Sequence, residues 1–202
     1  ALHRARSPWR GMRTEVIGGQ LLDISLEAAG SESVELANSV NRYKTAAYTI
    51  ERPLHLGAAI AGASEELIAA FRGYGHDIGI AYQLRDDQLG VFGDPAVTGK
   101  PAGDDLREGK RTELLALALQ RADESDPQAA ATLRKLIGHT SDPQELSRLA
   151  QIIADSGAPE EIERRIDALT RSGLQHLHAA QVDPAVTEAL EQLAIKATAR
   201  RK

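Results

Sequence analysis

Apolar residues recur at intervals of three and four along most of the chain, the spacing of one face of an α-helix. A first helix is predicted over residues 12–29, with Ile17, Leu21, Ile24 and Ala28 on an apolar stripe and Gly30-Ser31 ending it. A second runs over 33–50; Pro53 then imposes a break or kink, and the helix resumes over 54–61. Ser64-Glu65-Glu66 supplies a cap and first-turn acids for a long central helix reaching about residue 94. Three glycines and two prolines make regular helix improbable over 95–109, a loop long enough to act as a lid. Beyond it, polar residues or prolines open helices over 112–123, 127–138, 143–156, 159–180 and 184–199. Leu133/Leu136/Ile137, Leu146/Leu149/Ile153 and Ile162/Ile166/Leu169 provide their buried stripes.

Composition agrees with an all-α chain. The 202 residues are 42% hydrophobic but only 3% aromatic, so the core must be built from Leu, Ile, Val and Ala, which favours packed helices over sheets. This is ordinary for one globular domain. A net charge of -5 argues against nucleic acid as the main partner. No apolar run approaches the length of a membrane span, and no cysteine is present for disulfides or zinc-thiolate sites, as suits a cytoplasmic protein.

Candidate chemistry gathers where the central helix ends. Gly75, Gly79, Gln83, Asp86/Asp87 and Gly90 recur on one stripe. Its glycine end lets a helix or ligand come close, and its polar end presents adjacent carboxylates at the negative pole of the helix dipole. Such a pair is either a solvated acidic helix end or a cation site, and for the latter magnesium prefers carboxylate oxygen and substrate phosphate. Lys44, four residues before Tyr48 in an apolar and small-residue stretch, needs an anionic partner if buried. Gln20, Asp23 and Glu27 line one side of the first helix. Gly99-Lys100 is followed by Pro101 and preceded by no strand, so no nucleotide-binding P-loop is present. His176 and His178, two apart, do not share a helical face and are not read as metal ligands.

These segments resemble a known family. Tyr82-Gln-Leu-Arg-Asp-Asp-Gln-Leu-Gly90, Phe92-Gly-Asp94, Thr98-Gly-Lys100 and Asp104-Asp-Leu-Arg-Glu-Gly-Lys-Arg-Thr112 are similar to the second aspartate-rich region of the trans-isoprenyl diphosphate synthases, and most similar to members making geranylgeranyl diphosphate. Gly19-Gln-Leu-Leu-Asp23 and Lys44-Thr45 match further segments of that family. Gly90 departs from the pattern, standing where the family has a third aspartate, so Asp94 or water is left to compensate.

The resemblance implies an isoprenoid-synthase-type helical bundle, incomplete at its N-terminal side: residues 1–202 would be the C-terminal part of a single prenyl synthase domain, without the first aspartate-rich motif. It implies a cytoplasmic homodimer that binds Mg2+, isopentenyl diphosphate and allylic prenyl diphosphates, and condenses them to a short-chain product. Asp86 and Asp87 would hold the metal. Lys44, Lys100, Lys110, Gln20 and Asp23 would bind or border the diphosphate. Lys44, Thr45, Tyr48 and Gln83 would be catalytic. An all-helical terpene cyclase should lack the Lys44-Thr45 and Gly99-Lys100 pairs; a non-catalytic or truncated subunit of a heteromeric prenyl synthase stays open as the alternative.

Overall fold

The structure, a computed structural model, describes residues 1–99 and 101–199, and among these no strand occurs. Helix α1, Leu2–Ala29, begins well before residue 12 and continues across Pro8. Helix α2, Val34–Val40, passes into a π-helix, Asn41–Glu51, and this into α3, Arg52–Ala61. Pro53 therefore makes no break. It sits in the first turn of α3, where a missing N–H costs least. The irregularity expected near it lies earlier, as the wider π turn. The long helix α4, Glu65–Phe92, matches expectation.

The segment predicted as loop is more ordered than its glycines and prolines suggest. It holds two short helices, α5, Pro95–Thr98, and α6, Asp104–Glu108. Gly103 and Gly109 flank α6 in left-handed conformations, φ 69° and 76°, which glycine adopts without strain. Helices α7, Glu113–Ser125, α8, Pro127–Leu136, α9, Pro143–Asp155, α10, Ala158–His178, and α11, Pro184–Thr198, follow. Side chains of Thr112, Asp126, Asp142 and Asp183 accept hydrogen bonds from first-turn amides of α7, α8, α9 and α11.

The chain divides into two compact units. One combines Ala1–Leu22, Asn38–Gln83 and the described residues from Arg165 to 199. Its core is Ala58, Phe71, Tyr74, Ile78, Leu177 and Ala194, and the Tyr74 hydroxyl donates to the Leu190 carbonyl at 2.7 Å. The other combines Asp23–Ala37 and Leu84–Arg164. There α7 packs on α8, α8 on α9 and α6 on α9, burying Leu106, Leu119, Leu133, Leu149 and Ile153.

Helix α1 does not pack through its apolar stripe. Ile17, Leu21 and Ile24 are 66%, 66% and 53% exposed, while Met12, Asp23 and Leu26 are buried. Close approach decides this: a side chain at Gly19 would overlap the backbone of Lys44, so the glycine side of α1 lies against the π-helix.

Candidate functional site

The π-helix carries the first group of predicted residues. A β-carbon at Gly75 would fall 2.6 Å from the Glu51 Cα, and one at Gly79 would fall 2.5 Å from the Ala46 Cα. With Gly19 on α1, these glycines let two helices close on the π-helix backbone and bury Ala46 and Ala47. Wide π turns are uncommon and concentrate at functional sites. Here the turn leaves Lys44 and Thr45 half-buried and Tyr48 50% exposed. The Thr45 hydroxyl donates to Gln83 Oε1 at 2.7 Å, joining two residues expected to act together. Gln20 is exposed and Asp23 buried, so the polar side of α1 is not one uniform face.

Behind the π-helix lies a charged brace in the same unit. Arg52 donates to both carboxylate oxygens of Glu15, at 2.8 and 2.5 Å, and its other terminal nitrogen lies 3.3 Å from His55 Nδ1. That contact requires a lone pair on Nδ1. Burial, with Arg52 and Arg72 nearby, pushes the His55 pKa down to about 4, so the ring is neutral at pH 7.

The second group surrounds the end of α4. Asp87 is 1% exposed and accepts from Lys110 Nζ at 2.9 Å; the same ammonium lies 3.3 Å from Asp105 Oδ2. Burial raises the Asp105 pKa to about 6, against the pull of Lys110 and with repulsion from Asp87 and Asp86 adding to it. Burial also opposes the charge on Lys110, but Asp87 and Asp105 outweigh it and hold the ammonium well above its ordinary range. Lys110, expected at the diphosphate, is thus engaged by two carboxylates.

Position 90 explains why Asp105 sits there. Any side chain at Gly90 would overlap the Asp105 carboxyl, which fills the space that the glycine leaves open. Asp94 caps α5, accepting from the Ala96 amide at 2.8 Å. Asp104 pairs with Arg107 instead of turning inward. Asp105 has no role legible in its own sequence segment; the signal for it is the glycine at position 90. Nearby, Arg85 donates to both carboxylate oxygens of Glu163, at 2.5 and 2.7 Å, and fixes this end of α4 against α10. Lys100 lies outside the described residues.

Among the described residues no group of three or more acidic or histidine side chains is placed to hold a metal ion by itself. The donor set nonetheless suits magnesium, which is commonly held by one or two carboxylates and completes its shell with water and phosphate. Three aspartates, 86, 87 and 105, interact with one ammonium, leaving two negative charges for a divalent cation to balance.

Comparison with known proteins places these features in context. The family model described as polyprenyl synthetase matches residues 9–155. The chain is 43% identical over 110 residues to a geranylfarnesyl diphosphate synthase of Aeropyrum pernix, covering 54% of this chain and 34% of that protein. It is 40% identical over 113 residues to a geranylgeranyl diphosphate synthase of Mycobacterium tuberculosis, covering 56% and 32%. The chain thus matches about a third of the length of each. Among solved structures, a geranylgeranyl pyrophosphate synthase from Corynebacterium glutamicum, complexed with isoprenyl diphosphate and magnesium, superimposes with a TM-score of 0.97. Identity is 63%, with 99% of this chain and 56% of that one covered.

Proposed function

Because the chain belongs to the polyprenyl synthetase family, we propose that the protein transfers an allylic prenyl group to isopentenyl diphosphate, giving a short-chain isoprenyl diphosphate. The observation that carries this reading is the surplus of carboxylate around one ammonium, Asp86, Asp87 and Asp105 against Lys110. Such a surplus suits a divalent cation that also binds diphosphate.

On this reading Asp86 and Asp87 would hold magnesium, with Asp105 beside them. When bound, the metal supplies positive charge that stabilises the departing diphosphate. Lys44 and Lys100 add charge to that leaving group, each as a cationic point contact that strengthens as negative charge develops on the oxygens. The Thr45 hydroxyl, oriented by its hydrogen bond to Gln83, and the Tyr48 hydroxyl turn oxygen dipoles toward the positive charge of the allylic fragment. The isopentenyl double bond then forms the new carbon–carbon bond, and loss of a proton restores the alkene. Gln20 and Asp23 border the allylic diphosphate.

Water must be kept from the carbocation, and bound substrate does part of this by filling the site. Two protomers packed as a homodimer form the functional particle, and the protein acts in the cytoplasm. Among the described residues no helix is long and apolar enough to cross a membrane.

The test is incorporation of labelled isopentenyl diphosphate by the intact protein with allylic primers and magnesium. Asp86→Ala should abolish product formation while the protein stays folded. Turnover that survives this change would remove the metal role assigned to the aspartates, and a folded wild type without any turnover would return the alternative of a non-catalytic subunit.

A further inference from the structure

Asn41, the first residue of the π-helix, is buried at 5% exposure, and its side-chain Nδ2 meets no acceptor among the described residues. A buried amide donor left without a partner destabilises a fold, and native proteins hold few such groups; those that persist call for a reason. The place of this one supplies it. Lys44 lies three residues on and Thr45 four, so both neighbour Asn41 along one side of the helix, their β-carbons about 5–6 Å from its own. Thr45 in turn holds Gln83 through its hydroxyl at 2.7 Å. All four residues belong to one compact unit. Asn41 thus extends by one turn the polar side of the helix on which Lys44 and Thr45 stand.

An amide N–H needs an acceptor. A prenyl group is hydrocarbon and offers none, whereas every diphosphate oxygen does, and an anionic acceptor forms the stronger hydrogen bond. Asn38, one turn earlier, differs in this respect: its unpartnered buried atom is Oδ1, an acceptor that an anion would repel. We propose that Asn41 is a further substrate-contacting residue, its Nδ2 donating to a diphosphate oxygen of the allylic substrate beside Lys44. This rests on the prenyl-transfer reading above. The ligand-free protein gives up stability at this position, and binding recovers it, because the bound anion completes the hydrogen bonding of the amide.

The consequence is a trade of stability against binding that a merely structural asparagine would not show. In the intact protein, Asn41→Leu keeps a side chain branched at Cγ and removes the unpaired donor. Without ligand this variant should melt a few degrees above wild type. Its Kd for inorganic pyrophosphate in saturating MgCl2, measured by calorimetry, should rise roughly tenfold or more, as expected on losing a hydrogen bond to a charged group. KM for the allylic diphosphate should rise by a similar factor, while KM for isopentenyl diphosphate stays within about threefold of wild type. Asn38→Leu, which removes an unpaired acceptor from the same run of helix, is the control and should leave the pyrophosphate Kd within about twofold.

An Asn41→Leu variant that binds pyrophosphate and allylic diphosphate as wild type does would overturn the proposal, since the amide would then have no part in binding. An equal weakening in Asn38→Leu would overturn it as well, by tracing the effect to a general disturbance of the helix. Asn41→Ala, too small to overpack, supplies the reading should the leucine variant not fold: the same rise in Kd is expected, and an unchanged Kd would overturn the assignment. A wild type that binds no pyrophosphate in MgCl2 and makes no product would remove the proposed function and this inference with it. A wild type that does both, beside an Asn41 variant with unaltered Kd, would sink the inference alone.

Discussion

The Thr45 hydroxyl donates to Oε1 of Gln83 at 2.7 Å, linking the π-helix to α4 across 38 positions of sequence. Neither residue is unusual alone. Together they fix the rotamer of a hydroxyl and an amide on adjoining helices of one unit, and so aim two oxygen dipoles without relying on solvent.

Thr45→Val keeps the side-chain volume and removes the donor. The expected result is a fall in kcat on the order of a hundredfold, with a stability change of about 1 kcal/mol. Steady-state incorporation of isopentenyl diphosphate and a thermal melt measure the two. A variant with unchanged kcat would show that the hydroxyl has no part in the chemistry.

Two glycine substitutions should act in opposite directions. In Gly79→Ala the new methyl would meet Ala46, whose backbone cannot move without shifting the π-helix, so a loss of roughly 1–3 kcal/mol is expected. Gly57 on α3 has open space around its missing β-carbon, and Gly57→Ala should gain up to about 1 kcal/mol from helix propensity. Chemical denaturation of both variants checks the pair.

His55 sets a pH dependence of stability. Its folded pKa, about 4, lies below the ordinary 6.5, so between these values the unfolded chain binds the proton and the folded chain does not. Stability contributed by the neutral ring is therefore present above pH 6.5 and is lost as pH falls toward 4. The slope has an upper limit of about 1.4 kcal/mol per pH unit. His55→Gln should flatten denaturation midpoints across this window, and an unaltered slope would assign the dependence to other groups.

Gly90→Ala should separate metal binding from folding. The added methyl displaces the Asp105 carboxyl, which is the movable end of a side chain, so the melting temperature should change by only a few degrees. The magnesium concentration for half-maximal activity should rise roughly tenfold, in line with losses seen when residues supporting a metal site are altered. Magnesium titration of activity and of melting temperature measures both effects.

Much of this protein is legible in its sequence because helices obey a local rule. Capping residues, prolines and the three-to-four spacing place α4 and α7 through α11 within a few residues of their positions, and low aromatic content points to the all-α class. The isoprenoid-synthase-type expectation is met by the structural likeness. The aspartate pair at the end of α4 and the glycines that admit the π-helix are likewise visible as residue types at fixed intervals.

What depended on contacts distant in sequence had to come from the tertiary structure. The sequence determined that Lys44 and Thr45 share a helix; its π form, and the close approach of Gly19, Gly75 and Gly79 to its backbone, appear only in the tertiary structure. Apolar spacing identified a stripe on α1, yet close approach at Gly19 chose another side of that helix for burial. An absent aspartate at position 90 was readable, but only folding could show the Asp105 carboxyl in its space and Lys110 between two acids. Helix formation is governed by neighbours within a turn or two, whereas charge compensation and steric exclusion are settled by whichever distant residues the fold brings within a few ångströms.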